Sequence, residues 1–289
     1  MSSWSAITLT KGLDRAEALV EALEALEPGA VGYFEIEDGS LTFEVGAHWE
    51  EEPDGIALSL LAAAHGVRDF LISEVPDEDW VAKVQRGLPP VEAGRFFVHG
   101  AHDASKVPEG AEALLIEAAM AFGTGHHGTT KGCLLALESL AGETFRNVAD
   151  IGCGTAVLAM AAARLWPEAE VIASDIDEVA VDVARANLAA NGMAGRVALA
   201  EAAGFDAPAL AEAAPYDLII ANILAAPLIA LAPAMAAHAA PGARVILSGL
   251  LTEQQEDVAA HYRAVGINLV RAEAIGDWAT LILRNDAGV

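Results

Sequence analysis

VADIGCGTA, residues 148–156, is the stretch from which the fold is predicted. An apolar strand ends in a turn with glycines at 152 and 154, and the turn opens a helix. Glycine has no Cβ, so the backbone of such a turn can approach a ligand closely. The next strand ends at Asp175, 21 residues after Gly154. A carboxylate there can accept both hydroxyls of an adenosine ribose, which predicts a nucleoside-type cofactor. We expect Asp177 to cap the following helix instead.

Strands alternate with helices from about residue 146 onward. We expect strands near Asn147–Ile151, Glu170–Asp175, Val197–Ala200, Tyr216–Ile223, Ala243–Ser248, Ile267–Ile275 and Trp278–Arg284, and helices near 155–165, 178–191, 207–213, 227–239 and 253–264. This alternation predicts a doubly wound parallel sheet covered on both faces. The Gly276-Asp277 turn is too short for a parallel crossover, so the last strand must run antiparallel to its predecessor. A nicotinamide-binding fold would end in parallel strands; a seven-stranded α/β sheet with an antiparallel last strand is typical of class I methyltransferases.

Residues 1–75 show a different order of elements. A strand at 5–10 precedes a helix that opens at Asp14, three residues before Glu17 in a capping-box spacing. Strands at 31–37 and 41–45 are joined through Asp38-Gly39, a hairpin signal, and a helix at 54–65 ends at Gly66 before a strand at 69–74. The order β-α-β-β-α-β predicts a small α+β ferredoxin-like domain. It contains no cluster of catalytic side chains, so we expect it to bind the substrate.

Residues 76–110 are rich in proline and glycine, which predicts a connector with a short helix and a strand at Arg95–Val98. We therefore expect three parts: a substrate-recognition domain at 1–75, a connector at 76–110 and a cofactor-binding catalytic domain at 111–289.

The chain has 42 Asp and Glu against 16 Lys and Arg, a formal net charge of −26. Residues 1–110 hold 21 acidic and 7 basic side chains, and residues 111–289 hold 21 and 9, so the shorter first part is more densely acidic. The negative field of these side chains repels nucleic acid phosphates and attracts basic proteins. The alternative explanation is that the acidic residues only keep the protein soluble. Both explanations stay open, and either one argues against direct reading of a nucleic acid.

The apolar stretch Leu218–Ala240 contains Asn222, two prolines and His238, and its first part has the pattern of a strand, so we expect no membrane span. The chain opens without the pattern of a secretory signal. Two cysteines, Cys133 and Cys153, form no disulfide framework, and we expect reduced thiols in a cytoplasmic protein.

Four motifs together resemble the bacterial ribosomal protein L11 methyltransferase family. They are the run AFGTGHHGTT at 121–130, the Gly-Cys-Gly turn, Asp175-Ile176-Asp177, and Asn222-Ile223-Leu224-Ala225. Their order and spacing agree with the family over nearly the whole chain, and the FGTG-x-H-x-TT run is far more specific than the glycine turn. His126 and Gly128 depart from it, since many members have Thr and Pro there.

The resemblance implies a methyltransferase that uses S-adenosylmethionine to methylate lysine side chains and the amino terminus of a basic ribosomal protein. It implies that Thr130, Gly152 and Asp175 contact the cofactor together with Asn222, and that the first domain binds the ribosomal protein. We add Gly154 to the cofactor set. We assign the catalytic role to three residues, Asn222, Phe122 and Thr124.

Methyl transfer from a sulfonium is an in-line displacement that depends on positioning and needs no metal. The apolar strand Leu218–Ala221 places Asn222 at the carboxyl edge of the sheet, where its amide can accept a hydrogen bond from an incoming amine. The alternative is a purely structural role, in which Asn222 caps the helix near Pro227. Phe122 can cover the methionine end of the cofactor and Thr130 can hydrogen-bond it. His126 and His127 have no third ligand at suitable spacing, so we expect no metal.

Three other functions fit the same residues less closely. The enzyme could act on another basic protein, on a glutamine amide or on a small molecule. A nucleic acid N-methyltransferase usually carries an Asn/Asp-Pro-Pro-aromatic motif where this chain has Asn222-Ile-Leu-Ala. From a different class, the chain could be a non-catalytic assembly factor that binds a ribosomal protein and the cofactor.

Overall fold

The computed structural model describes residues 3–36, 42–75, 90–116 and 127–287. The chain divides into two compact units, residues 1–83 and residues 84–289. The described elements of the smaller unit are β1 (Ser3–Lys11), α1 (Leu13–Glu24), β2 (Ala30–Ile36), β3 (Thr42–Trp49), α2 (Gly55–His65) and β4 (Leu71–Val75).

The four strands of the smaller unit form one sheet in the order β2-β3-β1-β4, and every neighbouring pair is antiparallel. Its core consists of apolar side chains from the sheet and both helices, including Leu19, Val45 and Leu58. Burial of these side chains is the main term that stabilises a unit of this size. The Asp38-Gly39 turn lies outside the described residues.

The predicted end of α2 is correct, whereas the predicted start of α1 is not. The α2 helix ends at Gly66 as predicted, with φ +64°, and Asp54 caps its start by accepting from two backbone N–H groups. The expectation that α1 opens at Asp14 is wrong. Gly12 is the N-cap and Asp14 lies inside the first turn, where its carboxylate still faces the positive end of the helix.

The described elements of the larger unit begin with β5 (Val91–Ala93), β6 (Phe96–His99), β7 (Glu112–Leu115) and α3 (His127–Ser139). They continue with β8 (Asn147–Ile151), α4 (Val157–Leu165), β9 (Glu170–Asp175), α5 (Glu178–Ala190), β10 (Val197–Glu201), α6 (Pro208–Ala213), β11 (Tyr216–Asn222), α7 (Ala225–His238), β12 (Ala239–Leu251), α8 (Gln255–Ala264), β13 (Ile267–Ile275) and β14 (Trp278–Asn285).

The central sheet has seven strands in the order β10-β9-β8-β11-β12-β14-β13. The strands from β10 to β12 are parallel, whereas β14 is antiparallel to both of its neighbours. This confirms the predicted seven-stranded α/β sheet with a reversed last strand. The Gly276-Asp277 turn makes the reversal, and Gly276 has the positive φ of +57° that such a turn requires.

Two apolar clusters cover the two faces of this sheet. One contains side chains of α3, α4 and α5, and the other contains side chains of α6, α7 and α8. Helices on both faces bury the inner parallel strands from two sides, which explains the continuous apolar run Leu218–Ala221 in β11.

Residues 90–110, the first described residues of the larger unit, fall within the connector that the sequence predicts at 76–110. Here β5, β6 and β7 form a separate three-stranded sheet, and Val91, Phe96 and Val98 are buried in the same apolar cluster as α3. The expected strand at Arg95–Val98 is present as β6. The prolines and glycines of this segment therefore lie in loops between strands that are packed in the larger unit.

Among the described residues, no helix is both long and apolar enough to span a lipid bilayer. The apolar stretch Leu218–Ala240 divides into β11, α7 and the start of β12.

Candidate active site

A cleft of about 590 Å³ opens at the carboxyl edge of the central sheet. Its walls come from the ends of five adjacent strands, β10, β9, β8, β11 and β12, and from the first turns of α7. Parallel strands bring their carboxyl ends to the same edge, so residues distant in sequence meet there. The volume lies within the range of small-molecule sites. Much of the lining is apolar and includes Ile176, Leu224 and Leu231.

The glycine turn after β8 is fastened to the next strand. The N–H groups of Gly152 and Cys153 both donate to the carbonyl of Ser174, at 2.8 and 2.9 Å. Gly152 has φ +72° and Gly154 has φ +51°, which is the left-handed region that glycine adopts without a steric penalty. Ala156 shares this conformation at φ +60° and is the N-cap of α4. The turn is therefore held open in a conformation that depends on its glycines.

Asp175 ends β9 at the cleft, half-buried, and accepts two backbone hydrogen bonds. Gly154 donates to Oδ2 at 2.8 Å and Asp177 donates to Oδ1 at 3.2 Å. Each carboxylate oxygen has capacity for a further donor. Asp177 caps α5 by accepting from the N–H of Val179 at 2.9 Å, which confirms the capping role expected for Asp177.

Three glycines let the walls of the cleft approach one another closely. A Cβ at Gly152 would collide with the side chain of Ile223, and one at Gly249 would collide with the backbone of the same isoleucine. A Cβ at Gly204 would lie 2.5 Å from the side chain of Leu231. Gly204 and Gly249 were not identified from the sequence, although each stands just beyond a predicted strand. The cleft keeps its shape because side chains are absent at these positions.

Asn222 ends β11 and lines the cleft, half-buried. Its side chain makes no hydrogen bond to another residue in the described part of the chain. The alternative role as a helix cap is wrong, because α7 starts at Ala225 with Leu224 at its N-cap and no side-chain capping bond. A half-buried amide of this kind retains two donors and an acceptor for a ligand.

The remaining residues expected at the site do not all line the cleft. Thr130 is buried in the first turn of α3 and does not line the cleft, and Gly154 contributes through its bond to Asp175. Phe122 and Thr124 lie outside the described residues. The structure thus brings together Gly152, Asp175 and Asn222.

Asp150 is a candidate functional residue that the sequence reasoning overlooked. Its side chain is buried beneath the glycine turn, and Oδ2 accepts from the N–H of Ala159 at 2.9 Å, which caps α4 from the preceding strand. Its Oδ1 has no hydrogen-bond partner. Burial raises the pKa of Asp150 to about 7, and the nearby Asp175 carboxylate adds to this shift. The sequence feature that could have identified Asp150 is a carboxylate within the mostly apolar strand Asn147–Ile151.

Both cysteines, Cys133 and Cys153, are buried free thiols, and burial raises the pKa of each above its ordinary value. The described residues contain no group of three or more His, Cys, Asp or Glu side chains arranged to hold a metal ion.

This sheet order, with its single reversed strand and its glycine turn beside an acidic strand end, defines a class I methyltransferase fold. The chain belongs to the ribosomal protein L11 methyltransferase family, whose model matches residues 3–286.

Relatives and a solved structure agree with this assignment. A protein of Agrobacterium fabrum named ribosomal protein L11 methyltransferase is 49% identical over 241 residues, which is 83% of this chain and 82% of that protein. One of the same name from Brucella suis is 45% identical over 251 residues, 86% of this chain and 87% of that protein. The crystal structure of a ribosomal protein L11 methylase from Lactobacillus delbrueckii subsp. bulgaricus is 26% identical, with a TM-score of 0.59 over 68% of this chain and 97% of that one.

Proposed function

We propose that this protein transfers methyl groups from S-adenosylmethionine to lysine side-chain and amino-terminal amines of ribosomal protein L11. The observation that supports this most directly is the Asn222 amide, which lines the cleft beside Asp175 and the glycine turn without a hydrogen-bond partner in the described chain. The relatives at 45–49% identity supply the name of the substrate.

The residues of the cleft fit the proposed methyl donor. Asp175 has acceptor capacity left for ribose hydroxyls, and the positive φ of Gly152 keeps the backbone of the turn open toward the cleft. Apolar walls at Ile176 and Leu224 suit a purine ring. When bound, S-adenosylmethionine supplies an electrophilic methyl group on a sulfonium. We keep Thr130 and Gly154 in the proposed cofactor set, Thr130 for the methionine end and Gly154 for orienting Asp175.

Asn222 is proposed to position the amine that receives the methyl group. A lysine amine with a pKa of about 10.4 must lose a proton, which costs about 4.6 kcal/mol at pH 7. An apolar, water-poor cleft lowers that pKa. The carbonyl of Asn222 can accept an N–H of the neutral amine without adding a negative charge that would stabilise the ammonium form. Phe122 and Thr124 remain proposed as the residues that complete the catalytic set.

We propose a substrate-binding role for the smaller unit, as a ferredoxin-like domain. Its element order β-α-β-β-α-β and its antiparallel sheet order support this description. Residues 1–83 contain 18 Asp and Glu against 4 Lys and Arg, a charge that suits a basic protein partner. We retain the division into 1–75, 76–110 and 111–289 as a functional one, and we expect a cytoplasmic protein.

One experiment separates this function from its alternatives. The full chain is incubated with methyl-labelled S-adenosylmethionine and the purified ribosomal proteins, and labelled peptides are mapped by mass spectrometry. We expect label on lysine and amino-terminal nitrogens of L11. Label on another basic protein, on a glutamine amide or on a small molecule would redirect the substrate assignment. Donor binding and L11 binding without transfer would identify an assembly factor.

A further inference from the structure

The α3 helix packs on the terminal hairpin of the sheet through two glycines. Gly128 and Gly132 are four residues apart and so lie on the same face of the helix. A Cβ at Gly128 would lie 3.0 Å from Cδ1 of Trp278, and a Cβ at Gly132 would collide with Oγ1 of Thr280. The helix that carries Thr130 therefore rests directly on β14.

The Thr280 hydroxyl that faces Gly132 belongs to a buried polar contact with β12. Its Oγ1 lies 3.1 Å from the hydroxyl of Ser248, which lies 2.8 Å from the carbonyl of Ala279. Both side chains are almost fully buried, at 4% and 0% exposure. Thr280 is β-branched, so its hydroxyl has few alternative positions once this bond is made.

Ser248 in turn adjoins the end of the strand that carries Asn222. The two residues are register partners between β12 and β11, and the Ser248 carbonyl accepts the N–H of Ile223 at 3.1 Å. The pairing of β12 with β14 shifts register between Leu247 and Leu250, immediately around Ser248. Bulges of this kind adjust the direction of strand ends at functional sites.

We propose that Thr280 is a positioning residue for methyl transfer, because its hydroxyl fixes the spacing between α3 and the strand end that bears Asn222. This inference rests on the proposed function, since it assigns Thr130 to the donor and Asn222 to the amine. Gly132 provides the space for the hydroxyl, and Ser248 transmits its position to β11. Neither Gly132, Ser248 nor Thr280 lines the cleft, so their effect is indirect.

The first test is a rescue experiment in the full chain. Gly132→Ala should displace α3 and lower kcat by about 10- to 100-fold, as sub-ångström to 1 Å misplacements of reacting groups do. Thr280→Ala in the same chain removes the colliding Oγ1 together with the positioning hydroxyl, so it should raise kcat only as far as the level of Thr280→Ala alone. The matched control is Gly142→Ala, because a Cβ at Gly142 meets nothing within 4 Å. An active Gly132→Ala variant, or a loss that Thr280→Ala does not relieve, would overturn the proposal.

A second pair of variants keeps the test decisive if Gly132→Ala does not fold. Thr280→Val preserves the shape of the side chain and removes the hydroxyl, whereas Thr280→Ser keeps the hydroxyl. We expect Thr280→Val to lower kcat several-fold at an unchanged KM for L11, with a melting temperature only about 2–4 °C lower because one buried hydrogen bond is lost. Thr280→Ser should retain most of the activity. Equal kcat values for the two variants would contradict a positioning role. An unsubstituted chain that transfers no methyl group would instead contradict the proposed function and the inference with it.

Discussion

The smaller unit carries 18 Asp and Glu against 4 Lys and Arg, whereas the larger unit carries 24 against 12 over more than twice the length. The smaller unit has many exposed carboxylates, such as Glu50, Glu51 and Glu52. The larger unit has a cleft whose walls are mainly apolar and in which three glycines set the shape. We therefore propose that two kinds of recognition occur in one chain.

This difference shows what each unit can contribute. Exposed charges act over roughly a Debye length, about 8–10 Å at physiological salt, and steer a partner without fixing its atoms. Close-packed walls fix atoms but act only on contact. We expect the smaller unit to control capture of the protein substrate and the larger unit to control donor binding and the chemical step.

The largest effect should come from Asn222 in the larger unit. Asn222→Ala should lower kcat by about 100- to 1,000-fold, the scale seen when one preorganised polar group is removed from an active site. The melting temperature should not change, because Asn222 makes no side-chain hydrogen bond within the described structure. Steady-state methyl transfer to L11 is the measurement, and near-normal turnover would remove Asn222 from the mechanism.

Asn222→Asp sharpens this result by changing charge at nearly constant shape. A carboxylate would stabilise the ammonium form of the substrate, so the pH dependence of kcat should shift to higher pH. The pH–rate profile of Asn222→Ala provides the control for simple loss of the amide. A profile that Asn222→Asp leaves unmoved would place the accepting amine elsewhere.

The shape of the cleft is tested by two alanine substitutions in the same turn. Gly152→Ala combines a positive φ with a collision against Ile223, and it should weaken donor binding by about 10- to 100-fold. Gly154→Ala has the same positive φ, but its Cβ meets nothing within 4 Å, so it isolates the backbone cost. Titration calorimetry measures both. Equal losses would mean that the contact with Ile223 does not shape the site.

Charge reversal tests the contribution of the smaller unit. Replacing Glu50, Glu51 and Glu52 together by Lys should raise the KM for L11 by about 10-fold at low salt and leave the KM for the donor unchanged. The control reverses three exposed carboxylates of the larger unit, Glu168, Glu170 and Glu212. Added salt should weaken capture by the unsubstituted chain and reduce the difference between the variants. A salt-independent KM for L11 would assign the acidity to solubility alone.

The last prediction concerns stability rather than catalysis and involves Asp150, a carboxyl group buried in the larger unit. Its pKa of about 7 in the folded protein exceeds that of the unfolded chain, so the folded state keeps a proton that the unfolded state releases between about pH 4 and 7. The free energy of unfolding should therefore fall as pH rises through this window. Asp150→Asn should remove one proton from that dependence, about 1.4 kcal/mol per pH unit. Urea unfolding of both chains across this range measures it, and parallel pH profiles would contradict a neutral Asp150.

Much of the larger unit could be predicted because its signals are local. The strands at 147–151, 170–175 and 267–275 have the expected limits, and the Gly276-Asp277 turn alone required the reversed strand. Asp175 could be placed at the cleft because it ends the strand that follows the glycine turn, and parallel strands share one carboxyl edge. The start of α1 was misjudged because the capping-box spacing of Asp14 and Glu17 also occurs inside a first turn.

The remaining features depend on contacts between distant residues. Gly249 is explained only by the backbone of Ile223, and Gly132 only by Thr280, which is 148 positions further along the chain. Residues 90–110 had the punctuation of a connector, yet Val91 and Phe96 contribute to the core of the larger unit. Residue spacing within one segment of the sequence cannot predict contacts between residues that are so far apart along the chain.

The central claim is that the glycine turn and Asp175 hold a methyl donor whose sulfonium faces an amine beside Asn222. Calorimetric titration of the full chain with S-adenosylmethionine tests it most directly. The account predicts saturable binding of one donor per chain that Gly152→Ala weakens and added salt leaves largely unchanged. No saturable heat with the donor at about 1 mM, where even a weak site of about −4 kcal/mol would be half filled, would contradict it.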